Sequence, residues 1–108
     1  MKRALILLAA FAVAGTVQAK GNADAGKAKA AQVCAACHGA DGAKPIAPEN
    51  PILAGQHYDY LVKALVDYKS GKRANPIMKS FAQPLSRKDI EDLSAWFASQ
   101  KSSLSFKR

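Results

Sequence analysis

Two thiols and an imidazole lie within five consecutive residues, Cys34-Ala35-Ala36-Cys37-His38. Thiols three positions apart on one helical turn can each add across a vinyl group of the same porphyrin, and the next residue can place its imidazole on the iron. C-x-x-C-H is the attachment signature of a c-type haem. The pentapeptide therefore predicts covalent anchoring by Cys34 and Cys37 and axial ligation by His38.

The same two cysteines also have the spacing of a redox dithiol of the thioredoxin type, which could close into a disulfide. A dithiol gives no role to His38. A thioredoxin-like fold needs alternating strands and helices, a pattern that this short sequence lacks. The haem interpretation is therefore favoured, and a purified protein without Soret absorption would indicate the dithiol instead.

The first 19 residues have the composition of a secretory signal. Lys2 and Arg3 form a charged start, an apolar run extends to Ala14, and Val17-Gln18-Ala19 resembles a cleavage site. The apolar run is too short to cross a bilayer. We therefore expect residues 1–19 to be cleaved on export to the periplasm and residues 20–108 to form one small domain around its cofactor.

The charge balance indicates what the exported domain meets. The sequence has 16 Lys and Arg residues against 8 Asp and Glu residues, a formal net charge of +8. Lys2 and Arg3 would leave with the signal, so residues 20–108 carry 14 basic and 8 acidic residues, or 14 − 8 = +6. A basic surface favours acidic partners. The basic residues do not form one run interleaved with aromatic residues, so nucleic acid is not expected. We expect redox proteins with an acidic docking face, and at most peripheral association with membranes.

Helical periodicity predicts three helices and no strand, at about residues 23–36, 56–70 and 86–100. Asn22 is the predicted cap of the first helix and Gly71 the stop of the second. Ser86 and Asp89 resemble a capping box at the start of the third. Glycine and proline residues predict loops at 39–55 and 72–85. The expected fold class is all-α.

Two apolar stripes predict the core of this fold. Gly26 lies inside the first helix at a cost of about 1 kcal/mol relative to alanine, which indicates that something packs closely against its backbone. The stripes on the second and third helices contain Tyr58, Leu61, Val62, Leu65, Val66 and Tyr68, and Ile90, Leu93, Trp96 and Phe97.

A haem iron that exchanges electrons without binding small molecules needs a sixth ligand, usually methionine or a second histidine. Beyond residue 19 the sequence offers one methionine, Met78, and one histidine besides His38, namely His57. Met78 lies in a predicted loop between Pro76 and Pro84 and is the favoured ligand. His57 stays an alternative, as does an open sixth position, which would bind CO in the ferrous protein.

The second ring nitrogen of His38 needs a partner, because a hydrogen bond there fixes the orientation of the ring and tunes the metal. A carbonyl group of the proline-rich loop could accept that bond. Pro51 is the predicted acceptor, since proline offers a stiff carbonyl and no competing N–H.

The sequence resembles the small class I cytochromes c of the bacterial periplasm, most closely the c553 and c4 group. The resemblance extends over essentially all of residues 20–108. Its carriers are C-A-A-C-H-G at Cys34 to Gly39, P-I-L-A-G-Q-H at Pro51 to His57, Y-L-V-K-A-L-V-D-Y-K-S-G at Tyr60 to Gly71, N-P-I-M at Asn75 to Met78, and L-S-R-K-D-I-E-D-L-S-A-W-F at Leu85 to Phe97.

The resemblance implies a class I cytochrome c fold of three to five helices around one covalent haem c, held between His38 and Met78, with the Pro51 carbonyl on His38. It also implies that Gly26 lets the first helix approach Trp96 or Phe97 on the last.

The function that this resemblance implies is that of a periplasmic one-electron carrier and not of an enzyme. The alternative is a haem subunit of a larger periplasmic oxidoreductase, which would copurify with its partner. The basic residues to test for docking are Lys63, Lys69, Lys72, Arg73 and Lys79, and the alternative is that they form an ordinary solvated face.

Overall fold

A computed structural model of the chain describes residues 20–102, so the predicted signal segment at residues 1–19 lies outside the described residues. The described part contains no strand, which confirms the all-α prediction. None of its helices combines the length and the apolarity needed to span a membrane. Its helices are α1 (Ala23–Val33), α2 (Ala35–His38), α3 (Tyr58–Ser70), α4 (Pro76–Ala82) and α5 (Arg87–Ser99).

The first predicted helix is in fact two helices that meet at Cys34. The Cys34 N–H donates to the carbonyl oxygen of Ala30 (2.9 Å), which closes α1. The Cys34 carbonyl oxygen then accepts from the N–H groups of Cys37 (3.2 Å) and His38 (3.0 Å), which form the single turn of α2. The prediction of one helix to residue 36 was therefore wrong, and the thiols lie on a tight turn of their own.

The predicted loop at residues 72–85 was also wrong in part, because α4 occupies its centre. Pro76 is the first residue of this helix, where its missing N–H costs nothing. The Asn75 side chain caps the helix by accepting from the N–H groups of Ile77 and Met78, both at 3.1 Å. Pro76 therefore starts a helix, whereas the sequence interpretation treated it as a helix breaker.

The ends of the longer helices are formed by the residues that the sequence indicated. Gly71 adopts φ +83° and ends α3 in the left-handed conformation. At the start of α5, the Asp89 N–H donates to the Ser86 hydroxyl and the Ser86 N–H donates to the Asp89 carboxylate, each at 3.0 Å. This reciprocal pair confirms the predicted capping box.

Helix α5 lies at the centre of the fold, since α1 and α3 both pack against it and α4 packs against α3. Trp96 is only partly buried, and its indole N–H donates to the carbonyl oxygen of Ala40 (3.3 Å). Tyr58 lies outside the core, although the periodicity placed it on the apolar face. The buried core consists of Ala30, Leu61, Ala82, Leu85, Ile90, Leu93 and Phe97.

Gly26 marks the close approach of α1 to α5. A Cβ atom at this position would lie 1.9 Å from the carbonyl oxygen of Asp92 and 2.9 Å from the Cβ of Trp96. The nearest neighbours are therefore Asp92 and Trp96, of which Trp96 was expected. The Asp92 carboxylate also accepts the N–H of Asn22 (2.8 Å), which ties the start of α1 to the same helix.

We expect Gly26→Ala to lower the free energy of unfolding by about 2–3 kcal/mol, because the new methyl group must push two backbones apart. At an exposed helix position, alanine stabilises the helix by about 1 kcal/mol relative to glycine. Helix propensity alone would therefore raise the free energy of unfolding. Denaturant unfolding of the whole protein measures the change. Ala28→Gly, at an exposed position of α1, gives the size of the propensity effect alone. An unchanged or more stable Gly26→Ala protein would contradict the close approach.

Candidate haem site

One cavity of about 560 Å³ opens between α2, the loop after it, α3, α4 and α5. A volume of this size lies in the range of pockets that hold organic ligands, roughly 300–1,000 Å³. The structure brings five sequence-predicted site residues to its wall, and His57 is not among the residues that line it. These five are Cys34, Cys37, His38, Pro51 and Met78.

The two cysteines are both partly buried and both free. Burial raises the pKa of the Cys34 thiol from 9.0 to about 11. A thiol with a raised pKa is protonated at neutral pH and is a poor nucleophile, whereas a redox dithiol needs an accessible thiolate. The raised pKa of Cys34 is therefore the opposite of the lowered pKa that is typical of a redox-active cysteine.

His38 is buried, with only 6% of its surface exposed. Its Nδ1 lies 2.9 Å from the carbonyl oxygen of Pro51. A carbonyl oxygen can only accept, so the proton of the neutral imidazole is on Nδ1 and the lone pair is on Nε2. This is the tautomer that a metal-binding histidine needs, with its second nitrogen held by a backbone acceptor.

The loop that carries Pro51 is fastened to α2 by two further hydrogen bonds. The N–H of Ile46 (3.1 Å) and the side-chain amide of Asn50 (3.2 Å) both donate to the carbonyl oxygen of Cys37. Asn50 was missed by the sequence interpretation, and nothing in its local sequence distinguishes it from a polar loop residue. It holds the loop so that Pro51 reaches His38.

Met78 is the third residue of α4, is partly buried and lines the cavity. Its backbone N–H is one of the two groups capped by Asn75, so the cap also fixes the start of the turn that presents the thioether. His57 is the N-cap residue of α3 and is exposed. Of the two candidate sixth ligands, the structure therefore places Met78 at the cavity and His57 outside it.

The walls of the cavity fit a large apolar ligand. Tyr60, Ile77 and Phe81 line it although 50%, 68% and 43% of their surfaces are exposed to solvent, so a porphyrin face would remove apolar area from water. Ser94, also in the wall, is fully buried, and its hydroxyl oxygen has no hydrogen-bond partner within residues 20–102.

The unpartnered hydroxyl of Ser94 is unusual, since an unsatisfied buried polar group costs about 1–3 kcal/mol. Its position in the cavity wall makes Ser94 the one buried side chain of residues 20–102 whose polar atom has no partner. Ser94 was also missed in the sequence, although a small polar residue inside the stripe of Ile90, Leu93 and Phe97 was a usable signal.

The covalent anchor motif, the tautomer of His38 and the apolar cavity within an all-α fold define a class I c-type cytochrome. Residues 23–101 match the sequence model of the family described as Cytochrome c. The match covers more than half of the chain. The chain therefore belongs to the cytochrome c family, whose cofactor is covalent haem c.

Individual relatives agree with this family. The chain is 50% identical over 98 residues to cytochrome c4 of Pseudomonas aeruginosa, covering 91% of this chain and 48% of the relative. It is 40% identical over 84 residues to cytochrome c-554(548) of Halomonas halodenitrificans, covering 75% and 99% of the two chains.

Among solved structures, reduced recombinant cytochrome c4 from Pseudomonas stutzeri matches with a TM-score of 0.71 and 43% identity, over 80% of this chain and 49% of that one. The chain thus spans about half the length of the cytochromes c4 that it matches.

We expect Asn75→Ala to lower the free energy of unfolding by about 1–2 kcal/mol, because it removes the side-chain acceptor for two backbone N–H groups at the start of α4. Denaturant unfolding followed by helix content measures the loss. Asn75→Asp keeps an acceptor of the same shape and serves as the control. Equal losses in the two variants would contradict the capping role.

Proposed function

We propose that this chain is a one-electron carrier of the periplasm. In this proposal Cys34 and Cys37 would hold the haem through thioether bonds, and His38 and Met78 would ligate its iron. The observation that carries the proposal is that Cys34, Cys37, His38 and Met78 all line one cavity, with the His38 Nδ1 held by the Pro51 carbonyl. Bound haem supplies one-electron exchange between Fe(III) and Fe(II).

The chain's own residues have three tasks in such a carrier. The Pro51 carbonyl keeps the His38 ring in one orientation and one tautomer, so that ligation requires no rearrangement. The apolar walls would shield the cofactor from water, which would favour the less charged ferrous state. Ligation by both His38 and Met78 would leave the iron no open position for a substrate, as a carrier requires and an enzyme does not.

Periplasmic location is the part of the proposal that rests on residues 1–19. Their charged start, apolar run and small residues before Lys20 are those of an export signal. Attachment of haem c to Cys34 and Cys37 also requires that the two thiols stay unpaired until the cofactor arrives, although the periplasm favours disulfides.

We expect Met78→Ala holoprotein to lose the weak near-infrared band of a thioether–Fe(III) bond and to bind CO readily in the ferrous state. Its midpoint potential should fall by on the order of 100 mV, since axial ligands tune haem potentials over roughly 0.8 V. Loss of the thioether removes a ligand that favours Fe(II). Absorption spectra and redox titration measure both effects.

His57→Gln is the control for this variant, because it removes the other candidate ligand from an exposed position outside the cavity. Its spectrum and potential should match those of the wild type. A Met78→Ala protein with an unchanged spectrum, or a His57→Gln protein with the altered one, would overturn the proposed ligation. A colourless wild-type protein would overturn haem attachment itself.

The proposed docking surface is a basic rim beside the cavity, formed by Lys72, Arg73 and Lys79. The Lys79 ammonium group lies close to Gly71, since a Cβ atom at that glycine would be 3.3 Å from its Nζ. This contact brings the start of α4 next to the end of α3 and groups the three cations.

The other two residues considered for docking already bond to groups of the chain itself. The Lys63 ammonium pairs with the Asp67 carboxylate, and that of Lys69 donates to the carbonyl oxygen of Leu85. Within residues 20–102, neither Lys72 nor Lys79 forms an ion pair. The partner proposed for the basic rim is a redox protein with an acidic face, met through a small, charge-steered interface.

We expect the bimolecular rate of oxidation by hexacyanoferrate(III), a small anionic probe, to fall as ionic strength rises toward 0.15 M, where the Debye length is about 8 Å. Lys72→Gln/Lys79→Gln should lower the rate at low salt by about twofold to tenfold, because steering by charge accelerates association. Stopped-flow measurement at several salt concentrations tests this.

Lys27→Gln is a one-charge control for each of the single variants Lys72→Gln and Lys79→Gln, since Lys27 lies over the ring of Trp96 at 5.5 Å, on the α1–α5 side of the fold. This change removes one positive charge away from the basic rim and should leave the rate nearly unchanged. A salt-independent rate, or an equal effect of the Lys27 change, would remove the steering role of the basic rim.

A further inference from the structure

The fold holds the histidine and the methionine of the cavity in very different ways. The histidine side has several polar ties to the loop that follows it. The His38 ring is bonded to the Pro51 carbonyl, and the Cys37 carbonyl accepts from the N–H of Ile46 and from the side-chain amide of Asn50. The imidazole is therefore fastened at more than one point.

The segment that carries Met78, residues 74–85, has far fewer ties. Ala82 and Leu85 are its two buried residues. Among the hydrogen bonds within residues 20–102, one joins this segment to another part of the fold, and the others that it forms stay inside it. A segment with few buried contacts and few bonds to its surroundings opens more readily than the rest of a fold.

The one bond to this segment comes from Lys69, near the end of α3. Its ammonium group donates to the carbonyl oxygen of Leu85. Lys69 is partly buried, and within residues 20–102 it forms no ion pair that would compete for the ammonium group. A hydrogen bond from a charged donor is roughly twice as strong as one between neutral groups.

The place of this bond lets it control the whole of α4. The Leu85 N–H donates to the carbonyl oxygen of Ala82 (3.1 Å), so Leu85 closes the turn that ends α4. Helix α4 packs against α3, and Lys69 ties its exit to that same helix. Met78 lies about one helical turn before Ala82. A helix this short moves as one unit, so a tie at its exit also fixes the position of the thioether.

We propose that Lys69 is a positioning residue for Met78. Its bond to the Leu85 carbonyl keeps α4 against α3 and thereby sets how rarely the thioether leaves the iron. This role deepens the proposed function and rests on ligation by His38 and Met78. Release of Met78 opens one axial position to small ligands, whereas His38 stays in place because Pro51 holds it.

The test is the binding of imidazole to the ferric holoprotein, since imidazole reaches the iron only after Met78 has left. Its apparent affinity is proportional to the fraction of protein in the open state. Lys69→Leu keeps an apolar side chain and removes the donor, so we expect it to bind imidazole about tenfold more tightly. Lys69→Arg keeps a charged donor and should stay within about threefold of the wild type.

Lys63→Leu is the matched control, because it removes the same charge from the same helix. The exposed Lys63 pairs with Asp67 and not with the Met78 segment, so the imidazole affinity should equal that of the wild type. The second control is the Met78→Ala protein, in which the sixth position is already open. Lys69→Leu should have no effect on imidazole affinity there, because the coupling between the two residues has been removed.

Heating distinguishes a local role of Lys69 from a contribution to the whole fold. In Lys69→Leu the near-infrared band of the thioether–Fe(III) bond should disappear at a lower temperature than in the wild type. The loss of helix content should shift much less. Parallel shifts of the two transitions would assign Lys69 to general stability and refute the positioning role.

An imidazole affinity in Lys69→Leu equal to that of the wild type, or an equal gain in Lys63→Leu, would also refute it. If Lys69→Leu gives no holoprotein, Lys69→Gln, with a shorter and uncharged donor, is compared with Lys69→Arg by the same two measurements. A wild-type protein without the near-infrared band would instead refute ligation by Met78, and with it the proposed function on which this role rests.

Discussion

The site depends on how the loop after α2 is fastened to that helix. Three hydrogen bonds hold the loop: two donors reach the Cys37 carbonyl, and the His38 ring donates to Pro51. The segment between α2 and α3 has no regular secondary structure of its own. Without these bonds, the imidazole of His38 would lack a fixed tautomer and the cavity would lack one wall.

The parts of the fold that were predictable are those whose cause is local in the sequence. The capping box at Ser86 and the stop at Gly71 depend on residues within one turn, and the structure contains both. Helix α4 was missed because proline has opposite effects at the start and in the middle of a helix. Only the cap by Asn75, seen in three dimensions, decides between them.

The candidate site also contains residues that the sequence could predict and residues that it could not. The cysteines and His38 form one pentapeptide, so their proximity needed no knowledge of the fold. Asn50 gains its role from a contact with the Cys37 carbonyl of another segment, and single-sequence periodicity carries no such information. Met78 could be predicted as the sixth ligand because it is the one methionine beyond residue 19. That prediction came from composition and not from knowledge of the fold.

Trp96 is the one tryptophan of the sequence, and its indole is bonded to Ala40, two residues after the imidazole. Haem bound at the cysteines would accept excitation energy from Trp96 over tens of ångströms, so indole emission would be quenched in the folded chain. Only unfolding would separate the indole from the haem far enough to restore the emission. The fluorescence of Trp96 would therefore report the unfolding of the haem-bound protein.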